Sequence, residues 1–151
     1  AVDYDLSVNE YIDKVKYDGG DIRQVTSWSG VEKLGKQTVF VRLFPVETSG
    51  DSFPVVESRE EVLKRMGAEH CRPANVIELL AFGVQYPEKQ RDVVIVALGS
   101  EGTYSYSDNS GTSSYSVRPQ LSGDERGSRR AEWTGQSLYA SKSLLAVCNV
   151  K

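Results

Sequence analysis

The stretch TYSYSDNSGTSSYSV, from Thr103 to Val117, holds the side chains of this sequence best suited to binding another molecule. It contains three tyrosines and six serines, and no lysine, glutamate, glutamine or methionine. Tyrosine offers a rigid ring and a hydroxyl group at little entropic cost, while serine, glycine and asparagine supply adaptable hydrogen bonds, as in antibody loops. The composition favours non-covalent binding, and a plain hairpin with cross-strand tyrosine packing is the alternative.

Side chains for covalent or metal chemistry are sparse elsewhere. His70 is the single histidine, and no CxxC, HExxH or glycine-rich phosphate loop occurs. We therefore expect no catalysis, no cofactor and no metal site. Cys71 and Cys148 are the two cysteines, and the sequence leaves open whether they form a disulfide or lie buried as free thiols.

The length and charge of the chain restrict its class. Its 151 residues suggest one domain, residues 1–151, with a sizeable core, and a net charge of -3 gives no reason to expect a nucleic-acid partner. The longest apolar run, Val93 to Leu98, is too short to cross a bilayer. The first residues lack a signal-peptide pattern, so we expect no membrane insertion and a location in the cytoplasm or on a virion surface.

Three segments begin with the pattern of a capping box, in which a Ser or Asn side chain and a glutamate three residues later bond each other's backbone N–H groups. The pairs are Ser7 with Glu10, Ser58 with Glu61, and Asn75 with Glu78. They predict helices over about 8–17, 59–66 and 76–86, ended by the glycines at 19–20, by Gly67 and by Pro87. We expect structural roles for Glu78 and Arg72, and a solvated loop at Gln90 and Arg91.

Strands are predicted over 38–44, 93–98 and 143–150, with a weaker one around Trp133, whose ring is expected in the core. For Trp28 the sequence leaves open whether the ring lies in the core or contacts a ligand. Residues 103–117 are predicted to form a hairpin, with Tyr104 and Tyr106 on one face and a turn at 108–111. The order of helix, strand, two helices and then strands indicates an α+β fold.

Several motifs occur in an order known from one family. They are Arg72-Pro73-Ala74, ELLAFG at 78–83, Gln90-Arg91, a strand ending in Ala97–Ser100, and Trp133 before the terminal LLAVCNV. This arrangement resembles the variable proteins of diversity-generating retroelements, in which a reverse transcriptase miscopies template adenines and rewrites the C-terminal part of a gene. The resemblance implies a C-type-lectin-like fold with a mixed or antiparallel sheet, two to three helices and a loop-rich binding face at about 101–143.

The resemblance also implies which positions vary. Asparagine codons of the AAC type mutate at adenines to Tyr, Ser, Asp, Asn, Gly, Thr and similar residues, but not to Lys, Glu, Gln, Met or Trp. Every residue of 103–117 belongs to the reachable set, whereas Glu125, Glu132, Gln136 and Lys142 would be fixed scaffold positions. The candidate binding residues are Tyr104, Tyr106, Asp108, Asn109, Tyr115, Ser116, Asp124, Thr134, Gly135, Ser137, Tyr139 and Ser141.

The expected partner is therefore an unknown protein or cell-surface ligand, and the oligomeric state stays open. The Glu-Pro-Asn and Trp-Asn-Asp motifs of calcium-dependent lectins do not occur, so calcium-mediated sugar binding is not expected. Two alternatives remain. One is a structural accessory protein whose hairpin only pairs with a neighbour, and the other is an enzyme of the formylglycine-generating type, which would need a copper-binding cysteine pair.

Overall fold

The computed structural model describes residues 1–25, 27–49, 55–124, 126–135 and 142–149. The helices in them are α1 (Val8–Lys14), α2 (Arg59–Ala68), α3 (Val76–Gln85) and α4 (Lys89–Asp92), with a 3₁₀ turn at Ile22–Gln24. The strands are β1 (Val2–Asp3), β2 (Lys36–Gln37), β3 (Phe40–Pro45), β4 (Thr48–Ser49), β5 (Val55–Val56), β6 (Cys71–Pro73), β7 (Val94–Val96), β8 (Gly102–Asp108), β9 (Gly111–Gly123), β10 (Arg129–Thr134) and β11 (Lys142–Cys148). The predicted α+β class is confirmed.

The main sheet has the strand order β10-β9-β7-β11-β3, with β6 also paired to β11 and β8 also paired to β9. β7 and β11 are parallel, and the other pairs are antiparallel. The strands predicted over 38–44 and 143–150 are present as β3 and β11 and pair with each other, from Phe40 opposite Cys148 to Pro45 opposite Ser143. The remaining short strands form two separate two-stranded ladders, β1 with β2 and β4 with β5.

Helices cover both faces of the sheet, and β11 therefore buries side chains on both sides. Leu145 belongs to a core cluster with Leu80 of α3 and Tyr11 of α1, whereas Leu144 belongs to a second cluster with Met66 of α2. Neighbouring residues of a strand point to opposite faces, so α1 and α3 lie on one side and α2 on the other. Of the strand predicted over 93–98, β7 covers Val94–Val96, and residues 95–98 are buried.

All three predicted capping boxes are present, but two helix ends differ from the prediction. α1 stops at Lys14 because Val15 is already extended. α2 continues through Gly67 to Ala68, and His70 takes the left-handed conformation (φ 60°) instead. A glycine inside a helix costs only about 1 kcal/mol, so Gly67 by itself does not end α2.

The prediction of a solvated loop at Gln90 is wrong, because Gln90 lies in the short helix α4 and is buried. Its side-chain amide donates hydrogen bonds to the carbonyl oxygens of Ser122 (2.8 Å) and Arg130 (3.1 Å). A buried amide needs such partners, and they come from strands more than thirty residues away. Arg91 is exposed, as predicted, and donates to the Gly127 carbonyl oxygen (2.8 Å).

Cys71 and Cys148 stand opposite each other on β6 and β11 and form a disulfide. The bond ties the terminal strand to the segment between α2 and α3, and it decides the question that the sequence left open. Among the described residues, no helix combines the length and the apolar character needed to span a membrane.

Candidate ligand-binding hairpin

β8 and the first half of β9 form a hairpin whose pairing runs from Gly102 opposite Val117 to Asp108 opposite Gly111. The predicted hairpin is therefore confirmed, with Asn109 and Ser110 in its two-residue loop. Every side chain from 103 to 116 is exposed or only partly buried. The hairpin thus continues the sheet outward from the core, which ends at the buried Val117.

The tip of the hairpin is held by Asp108. Its Oδ1 accepts hydrogen bonds from the backbone N–H (2.8 Å) and the hydroxyl (2.6 Å) of Ser110. Side-chain bonds of this kind replace backbone bonds in tight turns. The bond from the Ser110 hydroxyl, followed by that from the N–H, lowers the pKa of Asp108, so this residue stays negatively charged at neutral pH.

Three tyrosines on one face of the hairpin continue the ring of Trp133 on β10 into a row, here called the aromatic row: Trp133, Tyr104, Tyr106 and Tyr115. The ring centroids of Trp133 and Tyr104 are 4.8 Å apart, those of Tyr104 and Tyr106 6.4 Å, and those of Tyr106 and Tyr115 5.7 Å. Tyr106 is 36% and Tyr115 48% exposed. Their hydroxyls lie 3.0 Å apart, and this hydrogen bond lowers the pKa of Tyr106 and raises that of Tyr115.

The opposite side, the hydroxyl face, is lined by small polar side chains that bond to one another. Ser105 Oγ lies 2.9 Å from Ser114 Oγ, and Ser107 Oγ lies 2.9 Å from Thr112 Oγ1. Ser116, a predicted binding residue, donates its hydroxyl to Glu101. The two faces therefore differ in chemistry: one presents ring surface, and the other presents hydroxyls that already have partners.

The prediction that Trp133 lies in the core is wrong, because its ring is only partly buried. β10 is an edge strand of the main sheet, and the ring next to that of Trp133 is the ring of Tyr104. The indole Nε1–H donates to Gln24 Oε1 (3.2 Å), and the backbone N–H donates to Asp21 Oδ1 (2.9 Å). Two residues near the start of the chain thus fix this end of the row.

The root of the hairpin is packed closely against the scaffold. A Cβ atom added at Gly102 would lie 2.4 Å from Cγ1 of Val25 and 2.9 Å from the ring of Trp28, which places the ambiguous Trp28 against the hairpin. Buried Arg118 donates to the carbonyl oxygens of Leu98 and Ser100, each at 3.2 Å. Burial lowers the pKa of Arg118.

Arg118 also pairs with Glu101, with 3.2 Å between Nη2 and Oε2. Sequence reasoning missed Arg118, although an arginine directly after an apolar strand residue was a signal. Its side chain is 4% exposed, so it positions the hairpin from beneath.

The remaining predicted binding residues lie apart from the aromatic row or outside the described residues. Asp124 follows the far end of β9, where its Oδ1 accepts from the N–H groups of Arg126 (2.9 Å) and Ser128 (3.0 Å). The structure therefore does not bring Asp124 together with the tyrosines. Ser137, Tyr139 and Ser141 lie outside the described residues.

Thr134 and Gly135 follow Trp133 directly. Thr134 Oγ1 accepts a hydrogen bond from Nζ of Lys142 (2.8 Å), and Gly135 is exposed. Lys142 is buried, and its burial lowers its pKa. Thr134 thus contacts the scaffold, whereas Gly135 is open to solvent.

No group of three or more His, Cys, Asp or Glu side chains within the described part of the chain is arranged to hold a metal ion. No protein-family model, curated protein sequence or solved structure matches this chain. The hairpin and its supporting contacts are therefore the basis for assigning a function.

Proposed function

We propose that this protein is a ligand-binding display protein of the diversity-generating retroelement type. It presents the hairpin 103–117 as a diversified surface on a C-type-lectin-like scaffold. It binds a macromolecular target, a protein or a cell-surface ligand, without catalysis. The observation that carries this proposal is the aromatic row, whose rings Tyr106 and Tyr115 are exposed on a hairpin that extends beyond the core.

The division of the chain into an exposed hairpin and a tightly held scaffold supports the proposal. No side chain from 103 to 116 is buried, and exposed substitutions usually change stability by no more than about 0.5 kcal/mol. Three capping boxes, two core clusters and the Cys71–Cys148 disulfide stabilise the scaffold. Such a protein tolerates many sequences at the hairpin while it keeps one fold.

The strand pairing supports the C-type-lectin-like assignment of the scaffold. β3 pairs with the terminal strand β11, and α2 and α3 lie between β3 and β7 in the chain. The formylglycine-generating alternative loses support, because the two cysteines of the chain are joined to each other rather than presented as a copper-binding pair.

The gene and its neighbourhood test the proposal. We expect a reverse-transcriptase gene nearby and a near-copy of the 3′ coding stretch in which the hairpin codons contain adenines. Deep sequencing of the gene in its source population should show substitutions concentrated in codons 103–116. Codons 59–100 encode the three helices α2, α3 and α4 and the strands β6 and β7, and they serve as the internal control. Equal variation in both stretches, or substitutions unrelated to template adenines, would contradict the proposal.

A further inference from the structure

We propose that the aromatic row is the contact face of the hairpin, that Trp133 is its fixed anchor, and that the row receives an arginine or lysine side chain of a partner protein. This inference rests on the proposed function and names the face and the partner chemistry within it.

The aromatic face is better suited to binding than the hydroxyl face. The hydroxyls of Ser105, Ser107, Ser114 and Thr112 already pair across the strands, so a ligand on that face would compete with bonds that exist. Tyr106 and Tyr115 instead expose ring surface to water. Covering that surface is favourable, because it removes apolar area from water.

Trp133 differs from the three tyrosines in how it is held. It stands on β10, outside the hairpin, and Asp21 and Gln24 bind its backbone and indole N–H groups. Tryptophan cannot arise from the template asparagine codons of the proposed diversification, so it would persist while the tyrosines change. Tryptophan is also enriched among the residues that dominate binding energy at interfaces. Trp133 is therefore suited to contact the partner in every variant, and Tyr104 stacks between Trp133 and Tyr106.

The charges beside the row favour a basic partner. Between Thr103 and Val117 the chain has the carboxylate of Asp108 and neither lysine nor arginine. Asp21 adds a second carboxylate at Trp133. Aromatic ring faces attract cations, because the electron density of the ring makes its face negative.

The arginines at the root of the hairpin and at the start of β10 do not oppose this attraction at the row, and Lys142, the cation beside Thr134, is buried and donates to Thr134 Oγ1. Arg118 is buried beneath the root and paired with Glu101. Arg129 and Arg130 lie at the other end of β10, opposite Gly123 and Ser122. The row and its carboxylates therefore complement a guanidinium or ammonium group and repel an acidic surface.

A displayed library tests the inference with defined probes. Positions 106, 109, 113 and 115 are randomised over Tyr, Ser, Asp, Asn, Gly and Thr in two backgrounds, native Trp133 and Trp133→Leu. Each library is panned on a twelve-residue peptide with three arginines and on the same peptide with citrulline, which keeps the shape and removes the charge. We expect clones from the native background to favour the arginine peptide and to regain tyrosine at 106 and 115.

Selected clones then receive Trp133→Leu and, separately, Trp133→Phe and the distant control Tyr86→Ser. We expect the Kd to rise at least tenfold with Trp133→Leu, less with Trp133→Phe, which keeps an aromatic ring, and not at all with Tyr86→Ser. Thermal melts verify that each variant is folded. If Trp133→Leu does not fold, the Kd of Trp133→Phe tests the role of Trp133.

The outcomes separate this inference from the proposed function. Equal enrichment on both peptides, or binding unchanged by the folded Trp133 variants, overturns the inference while the hairpin remains a binding surface. Failure to enrich any clone on either peptide also overturns the inference. The sequencing experiment judges the diversification independently of both results.

Discussion

Arg72 and Glu78 form a two-point ion pair, with Nη1 2.9 Å from Oε1 and Nη2 2.7 Å from Oε2. The Glu78 side chain is fully buried, whereas that of Arg72 is 54% exposed. Glu78 also accepts bonds from the Tyr4 hydroxyl (2.5 Å) and the Asn75 N–H (2.9 Å). One carboxylate thus joins the N-terminal segment, β6 and the start of α3, in agreement with the structural role predicted from the sequence.

Stability should depend on pH through Glu78. Burial raises its pKa, but the bonds from Arg72, Tyr4 and Asn75 outweigh burial and hold the pKa below its usual range. Because the folded pKa lies below the unfolded value of about 4.3, the contribution is present above that pH and is lost as the pH falls through the folded pKa. Urea midpoints between pH 7 and pH 3 should therefore decline less steeply in Glu78→Gln than in the native protein.

The same substitution should lower stability at pH 7. Removing one member of a buried ion pair costs about 3–5 kcal/mol, and the exposure of Arg72 reduces this to roughly 2–3 kcal/mol, because water can solvate the remaining charge. Urea denaturation at pH 7 measures the loss. A change below about 0.5 kcal/mol, or a pH profile parallel to that of the native protein, would show that the pair is not coupled to folding.

The tyrosines of the aromatic row should matter little for folding. Tyr106→Ser should lower the free energy of unfolding by less than about 1 kcal/mol, since its ring is exposed. Tyr104→Ser should cost about 0.5–1.5 kcal/mol, because its ring stacks on Trp133. Leu80→Ala, in the core, should cost about 2–5 kcal/mol. Thermal melts compare them, and tyrosine variants that melt as early as Leu80→Ala would identify the row as core packing instead of a binding face.

Two helical glycines should respond in opposite directions to alanine. A Cβ added at Gly83 in α3 would lie 2.7 Å from the Tyr17 hydroxyl oxygen and 2.9 Å from Cδ1 of Leu121, whereas one added at Gly67 in α2 meets nothing within 4 Å. Gly67→Ala should stabilise the protein by about 0.5–1 kcal/mol, and Gly83→Ala should destabilise it by about 1–3 kcal/mol. Chemical denaturation of both variants checks this. Stabilisation by both would mean that Tyr17 and Leu121 yield without cost.

The disulfide should contribute to stability through the length of chain it closes. Cys71 and Cys148 are 77 residues apart, and cross-links of this kind typically contribute about 2–4 kcal/mol by restricting the unfolded chain. The double variant Cys71→Ala, Cys148→Ala should unfold at a lower denaturant concentration than the oxidised protein. A reductant should lower the midpoint of the native protein and leave that of the double variant unchanged. If the reductant leaves the denaturant midpoint of the native protein unchanged, the disulfide does not contribute to stability.

The sequence by itself determined the local elements, because their signals lie within a few residues. The capping pairs at Ser7, Ser58 and Asn75 specify where helices start, and the alternation in TYSYS followed by DNSG specifies a hairpin. Where signals were weak, as at Gly67, the prediction failed, since a single glycine costs less than the helix contacts that continue past it.

Only the tertiary structure decided which of these elements meet. The partners of Gln90 are strand carbonyl groups far along the chain, Trp133 is partly exposed on β10 at the edge of the main sheet, and Cys71 reaches Cys148 through the pairing of β6 with β11. Asp124 and Tyr115 lie on one strand and its following turn, yet they are separated along it by nine residues, or about 30 Å at 3.3 Å per residue. Burial and proximity depend on long-range packing, which short sequence patterns do not encode.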